Sequence, residues 1–349
     1  GSEGFRWSRK DTFRPTDHRG APPTTAWQPG SYALDSHEIE PLPGAPPGQY
    51  DVVLTVFDRE TLVPISLLNE QGQPTAPELV LGQVTLTGPD EPPDPESLTI
   101  TNRVDERLGP VTLLGADVSR QDGAPGDPVE MTTFWRVEET PGTRLSVELE
   151  LLDADGTVGA AYDFPPTGAW HPTTDWGSGE VWRGQHRFHL PAALETGVYT
   201  WVLSLPPVSP DPVQIAPLTV TAPTRTFTQP PVDEETNARL GDVATLVGYR
   251  LSPDDVEPSP GMTLTVDLIW RAEATTNASY RVFVHLVGPE GQLVAQSDAI
   301  PGEWTRPTTG WLPGEYIGDR HTLHVPGDAS EGLYSMQAGL YEPEGNRLR

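Results

Sequence analysis

Pro172-Thr173-Thr174-Asp175-Trp176 is followed, 23 positions after its tryptophan, by the tyrosine of Gly197-Val198-Tyr199. The pairing recurs twice without a gap: Pro307 to Trp311 precedes Gly332-Leu333-Tyr334, and Pro23 to Trp27 precedes Gly48-Gln49-Tyr50. An interval held three times marks one structural unit, repeated. Upstream, copies two and three continue to agree. Leu113-Leu114-Gly115 matches Leu246-Val247-Gly248, and Trp135-Arg136 matches Trp270-Arg271. Each of these tryptophans stands 21 residues before a turn glycine, Gly156 or Gly291, which stands 20 before the repeat tryptophan. Copy one lacks this front half, because only 26 residues precede Trp27. Copy three ends before a counterpart of the strand-like runs 79–87 and 215–220. The expectation is about two and a half units, entered mid-unit and left one strand early.

Within the units, Leu264 to Trp270, Arg281 to Val287 and Leu145 to Leu152 alternate apolar and polar residues with β-branched enrichment, the period of half-buried strands. Pro141-Gly142, Asp153-Ala-Asp-Gly156, Pro260-Gly261 and Gly288-Pro-Glu-Gly291 punctuate them as turns. No stretch holds a helical period. The chain is predicted to be all-β, a tandem of antiparallel sandwiches: a partial unit at 1–87, a sandwich at 111–222 and one lacking its last strand at 240–349. The acidic, proline-rich stretches 88–110 and 223–239 are expected to be semi-rigid linkers.

The Gly-x-Tyr fits a tyrosine corner, in which a tyrosine opening a late strand bonds back to the preceding loop. With it, the unit resembles immunoglobulin-like and fibronectin-III-like modules of exported bacterial surface proteins; similar modules are appended to membrane glycosyltransferases. The cysteine pair of true immunoglobulin domains is missing, since the chain has no Cys. The resemblance implies a display or adhesive role and transfers no catalytic residue.

Composition narrows the function classes. Lys+Arg total 22 against Asp+Glu 50, a net charge of −28 over 349 residues, which repels phosphate backbones and argues against nucleic-acid binding. No apolar run is long enough to span a bilayer. Without cysteine there is neither a disulfide framework nor thiolate chemistry. Ten tryptophans and 36% hydrophobic residues nevertheless suffice for real cores.

Several residues invite chemistry. His37, His186 and His321 sit ten positions after the repeat tryptophans, and His189 and His324 three further on. Residues three apart on a strand face opposite ways, so neither His pair shares a metal. The plus-ten histidines are read as hydrogen-bonded residues of the apolar face. Asp153, Asp155 and Asp163 lack the spacing of a calcium loop and read as a turn; no cofactor is expected, although the acidity leaves room for weak, diffuse Ca²⁺ binding. Trp27, Trp176 and Trp311 are expected inside, one per unit, whereas Trp170, Trp304 and Trp182 are candidate platforms for a surface glycan. Carboxylate pairs such as Glu138-Glu139 sit in loops, and no nucleophile or nucleotide motif appears, so no enzyme is expected.

The opening segment is the one net-positive stretch, with Phe5, Trp7 and Phe13 among Arg6, Arg9, Lys10 and Arg14. It is a candidate for docking on another molecule's acidic end by strand addition; the alternative is a stretch of a longer repeat array. The sequence thus reads as a non-enzymatic extracellular structural or adhesive repeat protein, self-associating or joined to neighbouring repeats, in a filament, sheath or surface layer. The competing reading is a glycan-binding accessory region of an exported enzyme or membrane glycosyltransferase.

Overall fold

A computed structural model describes residues 4–12, 24–30, 32, 34–58, 60–61, 64–69, 75–253, 259–342 and 347–348. Among them the only helical pieces are short 3-10 turns, and the chain is all-β. In unit one, β1 (Gly48–Thr55) pairs antiparallel with β2 (Glu78–Leu86) and with no other named strand. Unit two is a complete two-layer sandwich. Its first sheet orders β3 (Asn102–Leu108), β4 (Val111–Val118), β6 (Pro128–Val137) and β9 (Val181–His189). Its second orders β5 (Asp122–Gly123), β11 (Ser209–Val220), β10 (Gly197–Leu205), β7 (Val147–Leu152) and β8 (Val158–Phe164), with β5 parallel to β11. The chain leaving β4 thus crosses at β5 to the other layer, and the two sheets pack as in immunoglobulin-like sandwiches.

Unit three repeats the plan. β12 (Glu234–Leu240), β13 (Ala244–Ser252), β14 (Thr263–Ala272) and β17 (Tyr316–His324) form one sheet. β16 (Leu293–Ala299), β15 (Arg281–Val287) and β18 (Ser335–Tyr341) form the other. Where unit two places β11, unit three has a single bridge from Tyr341 to Arg347. Unit one is the complementary fragment: β1 and β2 reproduce β10 and β11, down to a register shift four residues after the strand's first glycine.

The repeated sequence elements have specific structural tasks. Each Pro-Thr-Thr folds as a 3-10 turn whose tryptophan amide bonds back to the first threonine's carbonyl, at 3.2 Å in all three copies. In the sandwiches that threonine's hydroxyl reaches the loop before the strand of the opposite layer. Thr173 Oγ1 accepts from the Leu145 amide at 2.8 Å, and Thr308 Oγ1 from the Tyr280 amide at 2.9 Å. Beyond the turn, Trp176 and Trp311 are 1% exposed in their cores. All three tyrosines form the corner. The Tyr50, Tyr199 and Tyr334 hydroxyls donate to the carbonyls of Pro46, Glu195 and Ser330, each four residues earlier.

Both linkers are shorter than the composition implies. β3 and β12 lie inside the expected linkers 88–110 and 223–239 and belong to units two and three. A second repeat explains this: Arg107-Leu108-Gly109 and Arg239-Leu240-Gly241 each follow, two residues on, a left-handed residue, Asp105 (φ 53°) or Asn237 (φ 51°). That residue makes the bulge that lets the strand pair with β4 or β13. The glycine of the Leu-x-Gly motif is the partner feature, since a Cβ on Gly115 or Gly248 would overlap the carbonyl of Asn102 or Glu234.

Copy one departs from the pattern: among the described residues no second layer of strands faces β1 and β2. Trp27 is 45% exposed instead of buried. His37 lies outside any strand and pairs with Asp35 at 2.9 Å. A compact monomer of this mass exposes about 14,000 Å², whereas this chain exposes 20133 Å². The surplus fits separate units and an uncovered strand pair.

The cores themselves contain polar groups that must be satisfied. In unit three, Asp319 is 1% exposed and its Oδ2 accepts from Trp270 Nε1 (3.1 Å) and lies 3.0 Å from His321 Nε2, while its Oδ1 accepts from the Gly302 amide at 2.8 Å. Asp319→Ala strands three buried donors and should cost unit three about 3–5 kcal/mol; Asp319→Asn, which keeps an acceptor oxygen, should cost less. Urea unfolding monitored on unit three checks both values.

Candidate functional site

Some of the side chains singled out above, Trp7, Tyr50 and Trp170 among them, meet at a junction between units, and a second junction joins units two and three. At the first, Trp7 is 5% exposed and meets Tyr50 and Trp170 edge-on, at 6.0 and 6.3 Å between centroids. The Trp170 indole also donates to the Tyr50 hydroxyl, and its ring lies against Gly48, where a Cβ would come within 3.3 Å. Trp170 is therefore part of the contact between units one and two, with 38% of its surface left open. Neighbouring backbone completes the seam: the Arg183 amide on β9 donates to Gly44 O at 2.7 Å, and Arg183 Nε to Pro43 O at 3.1 Å.

This placement changes the reading of the opening segment. Phe5 lies under the Arg187 guanidinium at 5.3 Å, Arg6 bonds Glu78 at 3.1 Å, and its carbonyl accepts from Gln185 at 3.4 Å. Phe5, Arg6 and Trp7 are thus docked between their own units one and two rather than held out for another molecule, because burying Trp7 locally already removes its apolar surface from water. Arg9 pairs with Asp11 at 2.6 Å, and Lys10 is exposed. Phe13 lies outside the described residues. Trp182 likewise is no platform: it is 3% exposed in the core of unit two, with its indole donating to Glu180 at 3.1 Å.

The second junction is polar and tight. Glu315 is fully buried and receives Arg225 at 2.6 Å from the connecting segment and Arg306 at 2.5 Å from its own unit. Arg225 also donates to Gly310 O at 3.0 Å and Ala192 O at 2.5 Å, and so grips both sandwiches. Thr309 donates to Gly126 O at 2.6 Å, and the backbones of Gly126 and Gly310 approach so closely that a Cβ on either would overlap the other unit.

Beside this contact opens a cleft of about 1070 Å³. Unit two contributes Ser119, Arg120, Asp122, Asp127, Glu130, Arg187 and His189, and unit three Ser279, Arg281 and Glu342. Its charges are largely matched: Arg120 pairs with Asp127, and Arg187 with Glu130 at 2.5 Å. Arg281 reaches from the lining to the ring of Trp304, 5.7 Å from its centroid. Trp304 is 58% exposed and, with Glu303, holds a left-handed backbone (φ 70° and 55°). Each such residue costs about 1–2 kcal/mol. The loop is fixed by the Trp304 amide to Ile300 O (3.0 Å), the Arg306 amide to Pro301 O (2.9 Å) and the Gly302 amide to the buried Asp319.

Among the other candidates, Ser297, His321 and Asp319 form a chain that sequence reading did not anticipate. Ser297 Oγ lies 2.9 Å from His321 Nδ1, and His321 Nε2 lies 3.0 Å from Asp319. The residue types are those of a hydrolytic triad, but the histidine and aspartate side chains are fully buried and the chain braces the Trp304 loop. His186 occupies the same place in unit two, 3.3 Å from Pro166 O and against the Phe164 ring. His189 and His324 fall on the other face of their strands. Asp153 Oδ1 accepts the amides of Asp155 and Thr157, as a turn aspartate does. Glu138 accepts from Thr112 and Arg136, which hold its carboxyl below the usual range. Among the described residues no three His, Asp or Glu side chains are gathered as a metal would need, and no helix is long and apolar enough to cross a membrane.

Comparison of the sequence with known protein families gives no match, and comparison with curated proteins gives none either. Solved structures with related strand arrangements include the native Escherichia coli alpha-2-macroglobulin, at 11% identity and a TM-score of 0.24, covering 89% of this chain and 20% of that one. The Yersinia pseudotuberculosis adhesin InvE is similar at 10% identity and a TM-score of 0.20, covering 68% of this chain and 56% of that one. A glycosyl hydrolase family 2 member from Bacteroides cellulosilyticus follows, at 11% and 0.22, over 65% of this chain and 27% of that one. The chain thus spans between a fifth and a little over half of these proteins.

Burial pushes the His186 imidazole down to about 4, below its ordinary value near 6.5. The unfolded chain binds the proton first, so stability is full above about pH 6.5 and declines as pH falls toward 4, by about 3 kcal/mol in all. Replacing His186 with Leu should flatten that part of unit two's stability profile, measured by denaturant titration at pH 7, 5.5 and 4.5.

Proposed function

We propose that this chain is a non-enzymatic, extracellular structural or adhesive repeat protein, a stiff spacer in a cell-surface filament, sheath or surface layer. The observation that carries the reading is the second junction: Arg225 is shared between two sandwiches and Gly126 meets Gly310. A linker spent on a buried ion pair and a glycine seam gives up inter-unit freedom, which suits a load-bearing or spacing element rather than a hinged enzyme. Gly310→Val places a side chain on the Pro125 carbonyl and should part the sandwiches while each keeps its own core. Small-angle scattering should then show a larger, more variable particle; an unchanged profile, or a wild-type profile already that of loosely tethered bodies, would count against the stiff-spacer reading.

Adhesion is supported by unit one. In unit two the strand β10 has β7 on its far side, and that unit's own core buries its inner face. Their equivalents β1 and β2 leave Val53, Leu54, Leu79, Val80, Leu81 and Val84 exposed. Such open, apolar strands bind other strands, so strand addition would use β1 and β2 and not the opening segment. Sedimentation velocity should show concentration-dependent oligomers that Val53→Pro, which interrupts β1, abolishes; a wild-type chain that stays monomeric at high micromolar concentration sinks the assembly.

A further inference from the structure

We infer that the cleft between units two and three binds a short neutral oligosaccharide, with Trp304 as the stacking platform at its mouth. This goes beyond the mechanical reading and stands or falls separately from it. Three observations converge. The cleft holds about 1070 Å³, the upper end of ligand-site volumes at roughly 300–1,000 Å³, and so admits several linked sugars rather than one.

Its charged groups nearly balance, four carboxylates against three arginines. Arg120 with Asp127 and Arg187 with Glu130 are fixed ion pairs whose spare N–H donors and carboxylate lone pairs face the same space as Ser119, Ser279 and His189. Alternating donors and acceptors match the vicinal hydroxyls of a pyranose, each of which donates and accepts. Arg120 and Arg187 are each paired in place, and the lining carries four carboxylates against three arginines, so a phosphate or sulfate group meets a net negative wall there.

Trp304 supplies the apolar half of the recognition. Its ring is 58% exposed, and it is presented by two consecutive left-handed residues. The buried Asp319 fixes that loop through the Gly302 amide. Exposing a large aromatic on a strained loop, with a buried network to hold it, is poor economy for stability alone; strain of this kind collects where a surface must be held ready. Arg281 joins the two parts, lining the cleft and lying over the same ring. The C–H face of a terminal sugar fits the remaining ring surface.

Calorimetry on the full chain, with neutral hexasaccharides of glucose, mannose, galactose and N-acetylglucosamine and one polyuronic hexasaccharide as probes, tests the inference. At least one neutral probe should bind below about 1 mM. Trp304→Gly, which relieves the left-handed backbone, should weaken it by roughly tenfold, and Ser279→Trp should block it, with thermal melts confirming that both variants fold. If Ser279→Trp does not fold, Trp304→Gly decides alone. No neutral binding at that concentration, unchanged affinity in Trp304→Gly, or salt-sensitive preference for the polyuronic probe overturns the site.

Discussion

The hydroxyl of the first threonine in the Pro-Thr-Thr turn is the tie on which each sandwich depends. A two-layer β fold is held mainly by non-directional apolar contact between its sheets, and such contact alone does not set how far one layer slides along the other. Thr173 and Thr308 remove that freedom. Each accepts a backbone amide from the segment entering the opposite layer and donates to a carbonyl two residues before that amide, Thr143 at 3.2 Å and Ala278 at 2.8 Å. The tryptophan that caps the turn is delivered into the core at a fixed point, and the constant 23-residue run to the tyrosine corner follows from two anchored ends.

The same core niche is solved in two ways. Trp135 and Trp270 are equivalent, as are His186 and His321, and every one of these buried rings carries a donor that needs a partner. Unit three supplies one carboxylate, Asp319, for both rings. Unit two has Gly184 at that strand position, and a Cβ there would overlap the Pro166 carbonyl, which has moved in to lie 3.3 Å from His186 Nε2, while Trp135 donates to Thr133 at 2.8 Å. For the histidine, backbone replaces side chain as partner; for the tryptophan, a hydroxyl replaces the carboxylate. The consequence reaches the surface: in unit three the carboxylate's other oxygen anchors Gly302 and the loop that carries Trp304.

How much of this was legible in the sequence follows from which forces are local. Strand alternation, turn glycines and the Trp-to-Tyr interval are written residue by residue, so the β class and its antiparallel sandwiches could be read. The plus-ten histidines were readable by parity where a facing layer exists and failed at His37, because parity has no meaning without a strand. β3 and β12 escaped because their charged residues look like linker; the Arg-Leu-Gly repeat with its left-handed Asp105 or Asn237 was the overlooked signal. Trp170 and Trp304 looked alike in sequence. Trp170 meets Trp7 and Tyr50 of another unit, far back along the chain, whereas Trp304 meets Arg281 of its own unit, and no local pattern records that difference.

The two junctions also differ in the kind of force that holds them, and the difference has a physical consequence. The first combines aromatic edges, Trp7, Tyr50 and Trp170, which tolerate small rotations, with hydrogen bonds from Arg183 and Gln185 side chains that lie exposed to competing water. The second is a buried carboxylate shared by Arg225 and Arg306, with two glycine backbones in contact, and a fork of directed hydrogen bonds does not tolerate rotation. Force applied along the chain would therefore be taken up first at the seam between units one and two, while the geometry between units two and three is preserved. A cleft whose two walls belong to those last units needs that fixed geometry, since a ligand bound by both walls gains from their being positioned before it arrives.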